Sequence, residues 1–260
     1  TGFMVEVGQT KMLFDATFQN GMDRYLTPEE TTVEQMKLAL PPFDNVSMIF
    51  ITHMHSDAFD PYLTLQHMLH NPHAKLFCPQ QVINKMKIFT EDYPKIKNRV
   101  VETTPVINRY DRMVVNGFEI FAMNIKHSEM MNDHVENIGY VVNVDGVKIF
   151  HSGGSTPETL SDLRGLRLSD LGIDIAFLND RYGLKKGAKL TNEIVDARYN
   201  VLMHFELYIT DAILDNYCDR SKLSPKPQIF RVRNDYQDFY INDFYVPEET
   251  PNLSLSIYTD

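Results

Sequence analysis

His53, His55 and Asp57 alternate within VSMIFITHMHSDAFD, Val46 to Asp60, where an apolar, β-branched run gives way to two histidines and two aspartates. Residues two apart in an extended segment point to one side, so two imidazoles and a carboxylate could converge on one cation. Neutral imidazole is a good zinc ligand, and a catalytic zinc typically has three protein ligands plus an open water position. One strand end supplies only part of that set. The remainder must come from distant segments, and three histidines stand at expected strand ends: His127 after 118–125, His151 after 147–150 and His204 after 201–203.

The elements that must position these groups can be read from periodicity and punctuation. Phe3 to Val7 and Met12 to Phe14, separated by Gly8-Gln9-Thr10, predict a β-hairpin. A helix is expected over 31–40, stopped by Pro41-Pro42, and then a strand over 46–52 whose apolar continuity fits a strand covered on both faces. Asp60-Pro61 reads as an N-cap with proline in the first turn, opening a helix through Leu63, Leu65, Met68 and Leu69. A strand over 74–78 and a helix over 79–89 follow. Strands are expected at 117–125, 138–144 and 147–150, the last two joined by Asp145-Gly146. Helices near 157–171 and 190–199 alternate with strands at 173–178 and 200–203. This order predicts two sheets face to face with helices outside, a layered α/β architecture. One domain spanning 1–260 is expected, with a Tyr-, Phe- and Asp-rich extension from about 225 packed on it.

Composition removes several alternatives. A formal net charge of −10 and a pI near 5.3 argue against a nucleic-acid partner, which needs a basic footprint. Cys78 and Cys218 are the only cysteines, too few for a Cys-rich zinc site or a disulfide framework. No apolar run approaches the roughly 20 residues that span a bilayer. Thr1 in place of an initiator reads as a trimmed start, so the expectation is a soluble chain, either cytoplasmic or exported with its signal removed. The methionines fall among apolar residues and read as core filler, while His67, His70 and His73 read as solvated or capping residues of a helix.

The segment ITHMHSDAFDP resembles the Thr-His-x-His-x-Asp-His signature of the metallo-β-lactamase fold superfamily. GFMVEVGQTKMLFDATF is similar to that superfamily's opening hairpin, which ends on an aspartate near the site, here Asp15. IKHSEMMNDHVENIGYVVNVDGVKIFHSGGST resembles the segment carrying the third histidine and a bridging motif, and NVLMHF the strand that delivers the last one. The likeness runs in order over residues 2 to 207 and implies a four-layer αββα sandwich. It assigns His53, His55 and His127 to a first metal site, with His134 competing for the third place. It assigns Asp57 and His204 to a second site whose other two ligand positions hold Ala58 and Gly154. Neither a methyl group nor a hydrogen donates an electron pair, so at most one tightly bound ion is expected: zinc by preference, with manganese or iron compatible.

Two functions follow from the resemblance. In one, a single zinc activates water against an ester, lactone, amide or phosphoester bond of a small molecule, Asp57 orienting that water or taking its proton and His204 serving the developing oxyanion or leaving group. In the other, the chain has lost catalysis and keeps a binding or structural role. A third arrangement would rebuild a two-metal site from His151, Asp60 or Ser155. Asp15 reads either as a turn residue or as a hydrogen-bond support for a ligand histidine. Supplying both ligands, Ala58→His with Gly154→Asp, is a test: a gain of a second metal and of esterase or phosphodiesterase turnover that the parent lacks would count against hydrolysis by the parent. Oligomeric state is left open.

Overall fold

The computed structural model describes residues 2–128, 134–209, 213, 237–240 and 253–258, so Cys218 and the expected extension outside the last two strands lie beyond the described residues. The chain divides into two compact units, Thr1–Thr103 with Val232–Asp260, and Thr104–Arg231. Each contains one mixed sheet with its own helices.

In the first unit β1 (Gly2–Val7) and β2 (Thr10–Phe14) form the expected hairpin, Phe3 opposite Phe14 and Val7 opposite Thr10. Gly8 takes φ 60° at its turn, a conformation glycine adopts without steric cost. Beyond β2 the sheet is parallel, through β3 (Val46–Phe50), β4 (Lys75–Cys78) and β5 (Val100–Glu102). On its other side β13 (Leu253–Tyr258) pairs antiparallel with β1, and β12 (Gln237–Tyr240) with β13. Helices α1 (Glu30–Lys37), α2 (Pro61–His70) and α3 (Gln80–Phe89) supply Met36, Leu63, Leu65, Met68, Val82 and Met86 to a core shared with Met4, Leu13, Ile49 and Leu76. On the alternate strand positions Phe14, Phe50 and Phe77 stack at 4.8 and 4.9 Å and are also fully buried. Burial of both faces explains the uninterrupted apolar run of β3.

In the second unit β6 (Tyr110–Val115), β7 (Phe118–Asn124), β8 (Ile138–Val144) and β9 (Val147–His151) are successive antiparallel neighbours, and β10 (Ile175–Asn179) and β11 (Tyr199–Met203) continue in parallel from β9. Asp145 and Gly146, at φ 50° and 88°, make the tight turn between β8 and β9. The core here joins Met123, Val141, Phe150, Ala176 and Leu202 to Leu163, Leu168, Ala188 and Ile194. Four strands escape the sequence pattern, two of them, β12 and β13, in the tail read only as a packed extension. β6 is an exposed edge carrying Asp111 and Arg112, as edge strands do, and β5 has only three residues. The helix expected over 157–171 is a single turn, α4 (Pro157–Leu160), followed by 3-10 turns, with Arg167 at φ 51° where an α-helix cannot continue. The helix expected at 190–199 is α5 (Lys185–Ile194); it ends before Asp196, which has φ 50°.

Strand direction determines where the polar residues collect. β2, β3, β4 and β5 run the same way, which brings Asp15 and Thr52-His53 to one edge of their sheet. In the second sheet β7, β9, β10 and β11 share a direction, so the segments around His127, Gly154 and His204 leave a common edge. Among the described residues no helix is long and apolar enough to cross a membrane.

Candidate metal centre

The first unit holds His53 through a relay of buried polar groups. Asp15 follows β2 with φ 47° and donates its N–H to Phe50 O at 2.9 Å, which carries its carboxylate under the loop that leaves β3. Asparagine, aspartate and histidine are the non-glycine types that tolerate this conformation best. Thr52 donates its backbone N–H to Asp15 Oδ1 at 2.7 Å and its hydroxyl to Asp15 Oδ2 at 2.6 Å. The same hydroxyl lies 2.7 Å from His53 Nδ1. A threonine hydroxyl has one proton, so with that proton on Asp15 the imidazole must donate from Nδ1, which leaves Nε2 as the lone-pair nitrogen. Asp15, Thr52 and His53 are 1%, 0% and 1% exposed. Burial pushes the Asp15 carboxyl up to about 7, against the lowering effect of the two Thr52 hydrogen bonds. Asp15 is therefore the support of a histidine and not merely a turn residue.

His53 and His55 do not extend a strand: residues 51 to 60 form an irregular loop with a turn at 56–58. Their rings still meet, centroids 4.9 Å apart and nearly perpendicular at 86°. Lys85 of α3 donates to Met54 O at 3.0 Å and clamps the backbone between them. Asp57 is buried in the turn, next to the fully buried Ala58. Asp60 caps α2, accepting from Leu63 N–H at 2.8 Å through Oδ1 and from the Gln19 amide at 3.0 Å through Oδ2, which commits both oxygens to the cap. His67 corrects the expectation of a solvated residue: it is 0% exposed, its Nδ1–H donates to Met36 O at 2.6 Å, and burial lowers its pKa to about 4. His70 and His73 are exposed as expected.

In the second unit His127 lies three residues past β7, with Nδ1 3.2 Å from Ser128 Oγ. His134 is exposed. Asn137, 1% exposed, joins the segments on either side of His127: its amide donates to Ile125 O at 3.0 Å and Ser152 O at 3.2 Å, and its oxygen accepts from Gly154 N–H at 2.9 Å. His151 is fully buried, accepts from Gly153 N–H at 3.1 Å through Nδ1 and lies 5.8 Å from the Phe177 ring; burial, aided by His204, lowers its pKa to about 3. Ser155 shares a 2.8 Å hydrogen bond with the buried Tyr182 hydroxyl. These contacts commit Ser155 and the Nδ1 atom of His151 to the interior. His204 follows β11 with φ 64° and is partly buried.

One ligand atom from each of His53, His55 and His127 lies within 4.8 Å of the other two, the one cluster of this kind among the described residues. Asp57 and His204, expected as further ligands, are outside that cluster, as is His134. Thr52, Lys85 and Asn137 are the supporting residues that sequence reasoning missed. Thr52 stands inside the quoted motif, and Asn137 is a polar residue at the mouth of an apolar strand, a signal that its amide must find buried backbone partners.

The arrangement defines a class before it defines a reaction. A family model described as the beta-lactamase superfamily domain matches residues 10–205, and the chain belongs to this family. Its two mixed sheets with flanking helices are the α/β sandwich elements of the metallo-β-lactamase fold. The metallo-β-lactamase fold protein YhfI from Bacillus subtilis is similar at 10% identity and a TM-score of 0.58, covering 89% of each chain. A candidate metal-dependent hydrolase from Parabacteroides distasonis is similar at 15% identity and a TM-score of 0.56, covering 88% of this chain and 89% of that one. CmlA, a diiron β-hydroxylase from Streptomyces venezuelae, is similar at 12% identity and a TM-score of 0.53, over 88% of this chain and 53% of that one. These likenesses are of fold. A comparison with curated protein sequences finds no match.

Proposed function

We propose that the chain is a metal-dependent hydrolase that holds one zinc ion on His53, His55 and His127 and cleaves an ester, lactone, amide or phosphoester bond of a small molecule. The observation that supports this best is the cluster of three imidazoles, ligand atoms within 4.8 Å of one another, in a chain of this family. The donor set fits the ion, since three neutral nitrogens suit tetrahedral zinc and leave a fourth position for water. An ion held there supplies Lewis acidity and lowers the pKa of a water toward about 7. The remaining work falls to side chains of the chain itself. The relay from Asp15 through Thr52 keeps His53 in the tautomer that offers Nε2. Asp57, two residues past His55, would orient the attacking water and take its proton, and His204 would hydrogen-bond the developing oxyanion or the leaving group.

Elemental analysis of protein purified without chelator is expected to return one equivalent of zinc. None or two would overturn the proposal. With the ion in place, Asp57→Asn is expected to lower kcat on a responsive substrate by about 10²- to 10⁴-fold without releasing zinc. Ala58 and Gly154, in place of ligands, favour a second reading in which the chain binds without catalysing. That reading predicts no bound zinc and no turnover on any of the four bond types.

A further inference from the structure

A side chain at position 154 has nowhere to go. A Cβ built on Gly154 would run into His127 Nε2 and stand 2.6 Å from Cδ2 and 3.1 Å from Cε1, while real Cβ atoms essentially never come within 3.0 Å of such neighbours. The obstacle is the ring and not the backbone. Gly153 has φ 60°, a conformation that favours glycine, whereas Gly154 is not among the residues with positive φ. The backbone on both sides of the contact is held. Ser128 donates its N–H to Gly154 O at 3.2 Å, Gly154 N–H donates to Asn137 Oδ1 at 2.9 Å, and Asn137 Nδ2 ties down Ile125 O and Ser152 O. His127 and Gly154 thus sit on two loops that one buried amide joins, with little slack for either to retreat. With Nδ1 beside Ser128 Oγ, it is the Nε2 edge of the imidazole that faces Gly154.

We propose that Gly154 is a positioning residue for His127: the imidazole occupies the volume that a side chain at 154 would need. This rests on the reading of His127 as a zinc ligand and alters its consequence for the missing carboxylate. Position 154 has not simply lost a ligand, because the third histidine has taken its place. Gly154→Asp therefore does not rebuild a second metal site, even with Ala58→His, and instead displaces the third ligand of the first.

A double-mutant cycle in the metal-free protein tests the contact apart from any metal. Gly154→Ala is expected to lower Tm by roughly 5 °C in the parent and to be nearly neutral in a His127→Ala background, where the ring is gone. Equal losses in both backgrounds would overturn the proposal, as would a Gly154→Ala/His127→Ala double variant that fails to fold while His127→Ala folds. If Gly154→Ala alone fails to fold and the double variant folds, the ring is the obstacle and the proposal stands. In the parent, ring ¹⁵N signals of His127 should move on Gly154→Ala while those of His53 and His55 stay. Zinc competition should show at least a tenfold loss of affinity for Gly154→Ala, and Ala58→His/Gly154→Asp should bind no more than one equivalent. A second equivalent in that variant, or unmoved His127 signals, would sink the proposal. A parent that binds no zinc would instead sink the hydrolase reading and leave the cycle intact.

Discussion

The two segments that carry the clustered imidazoles differ in how tightly hydrogen bonds and packing hold them. His53 is held by hydrogen bonds: a buried carboxylate, a hydroxyl and a ring nitrogen in series at 2.6 and 2.7 Å. The His127 ring has a longer contact, Nδ1 to Ser128 Oγ at 3.2 Å, and lies against a residue without a side chain while a buried asparagine joins the backbone around it. A hydrogen-bonded support fixes tautomer as well as direction. A steric support fixes direction alone, since close-packed neighbours cannot share volume. The two halves should therefore fail differently.

Removing a ligand is the largest perturbation. His53→Ala and His127→Ala are each expected to weaken zinc binding by more than the ~10- to 100-fold typical of losing a supporting partner, measured by chelator competition. If either keeps parental affinity, that histidine is not a ligand. Thr52→Val removes the relay hydroxyl while keeping the volume, and is expected to fall within that ~10- to 100-fold range and to cost about 1–3 kcal/mol of stability in denaturant unfolding. Because the loss acts through tautomer, ring ¹⁵N shifts of His53 should change in the Thr52→Val protein, while Gly154→Ala should leave them alone. Identical spectral responses to the two variants would abolish the contrast.

The smallest expected effect on zinc affinity comes from His67, a buried histidine outside the cluster, whose contribution appears in stability alone. Its folded pKa is depressed from 6.5 to about 4, so its neutral form is the one that folds. The contribution is fully present above pH 6.5 and is lost as pH falls through the window toward 4, at up to ~1.4 kcal/mol per pH unit. His67→Gln should flatten the fall of stability across that window and leave zinc affinity unchanged. His151 titrates with the same sign, so the slope should shrink and not vanish. An unchanged slope would mean that His67 is not buried neutral.

The ease of reading the sequence varied with the kind of constraint. The β1–β2 hairpin, the Asp60 cap and the Asp145-Gly146 turn were legible because each is decided within a few residues, by alternation, by a side-chain oxygen reaching an N–H three positions on, or by positive φ. The helix expected over 157–171 gives way to 3-10 turns after Leu160 and is broken again at Arg167, whose left-handed conformation arginine gives no local sign of. His53, His55 and His127 could be named as a cluster from motif and order.

The sequence by itself determined the family, the strand-and-helix order and the donor atoms available, because residue type and spacing carry those directly. Only the tertiary structure decided that Thr52 lies between Asp15 and His53, that Asn137 gathers Ile125, Ser152 and Gly154, and that His127 covers the bare Cα of Gly154. Apart from the step from Thr52 to its neighbour His53, those are contacts across 12 to 37 positions of chain. A missing side chain reads the same in sequence whether its space is empty or filled by a neighbour, and volume is settled only when the chain has folded.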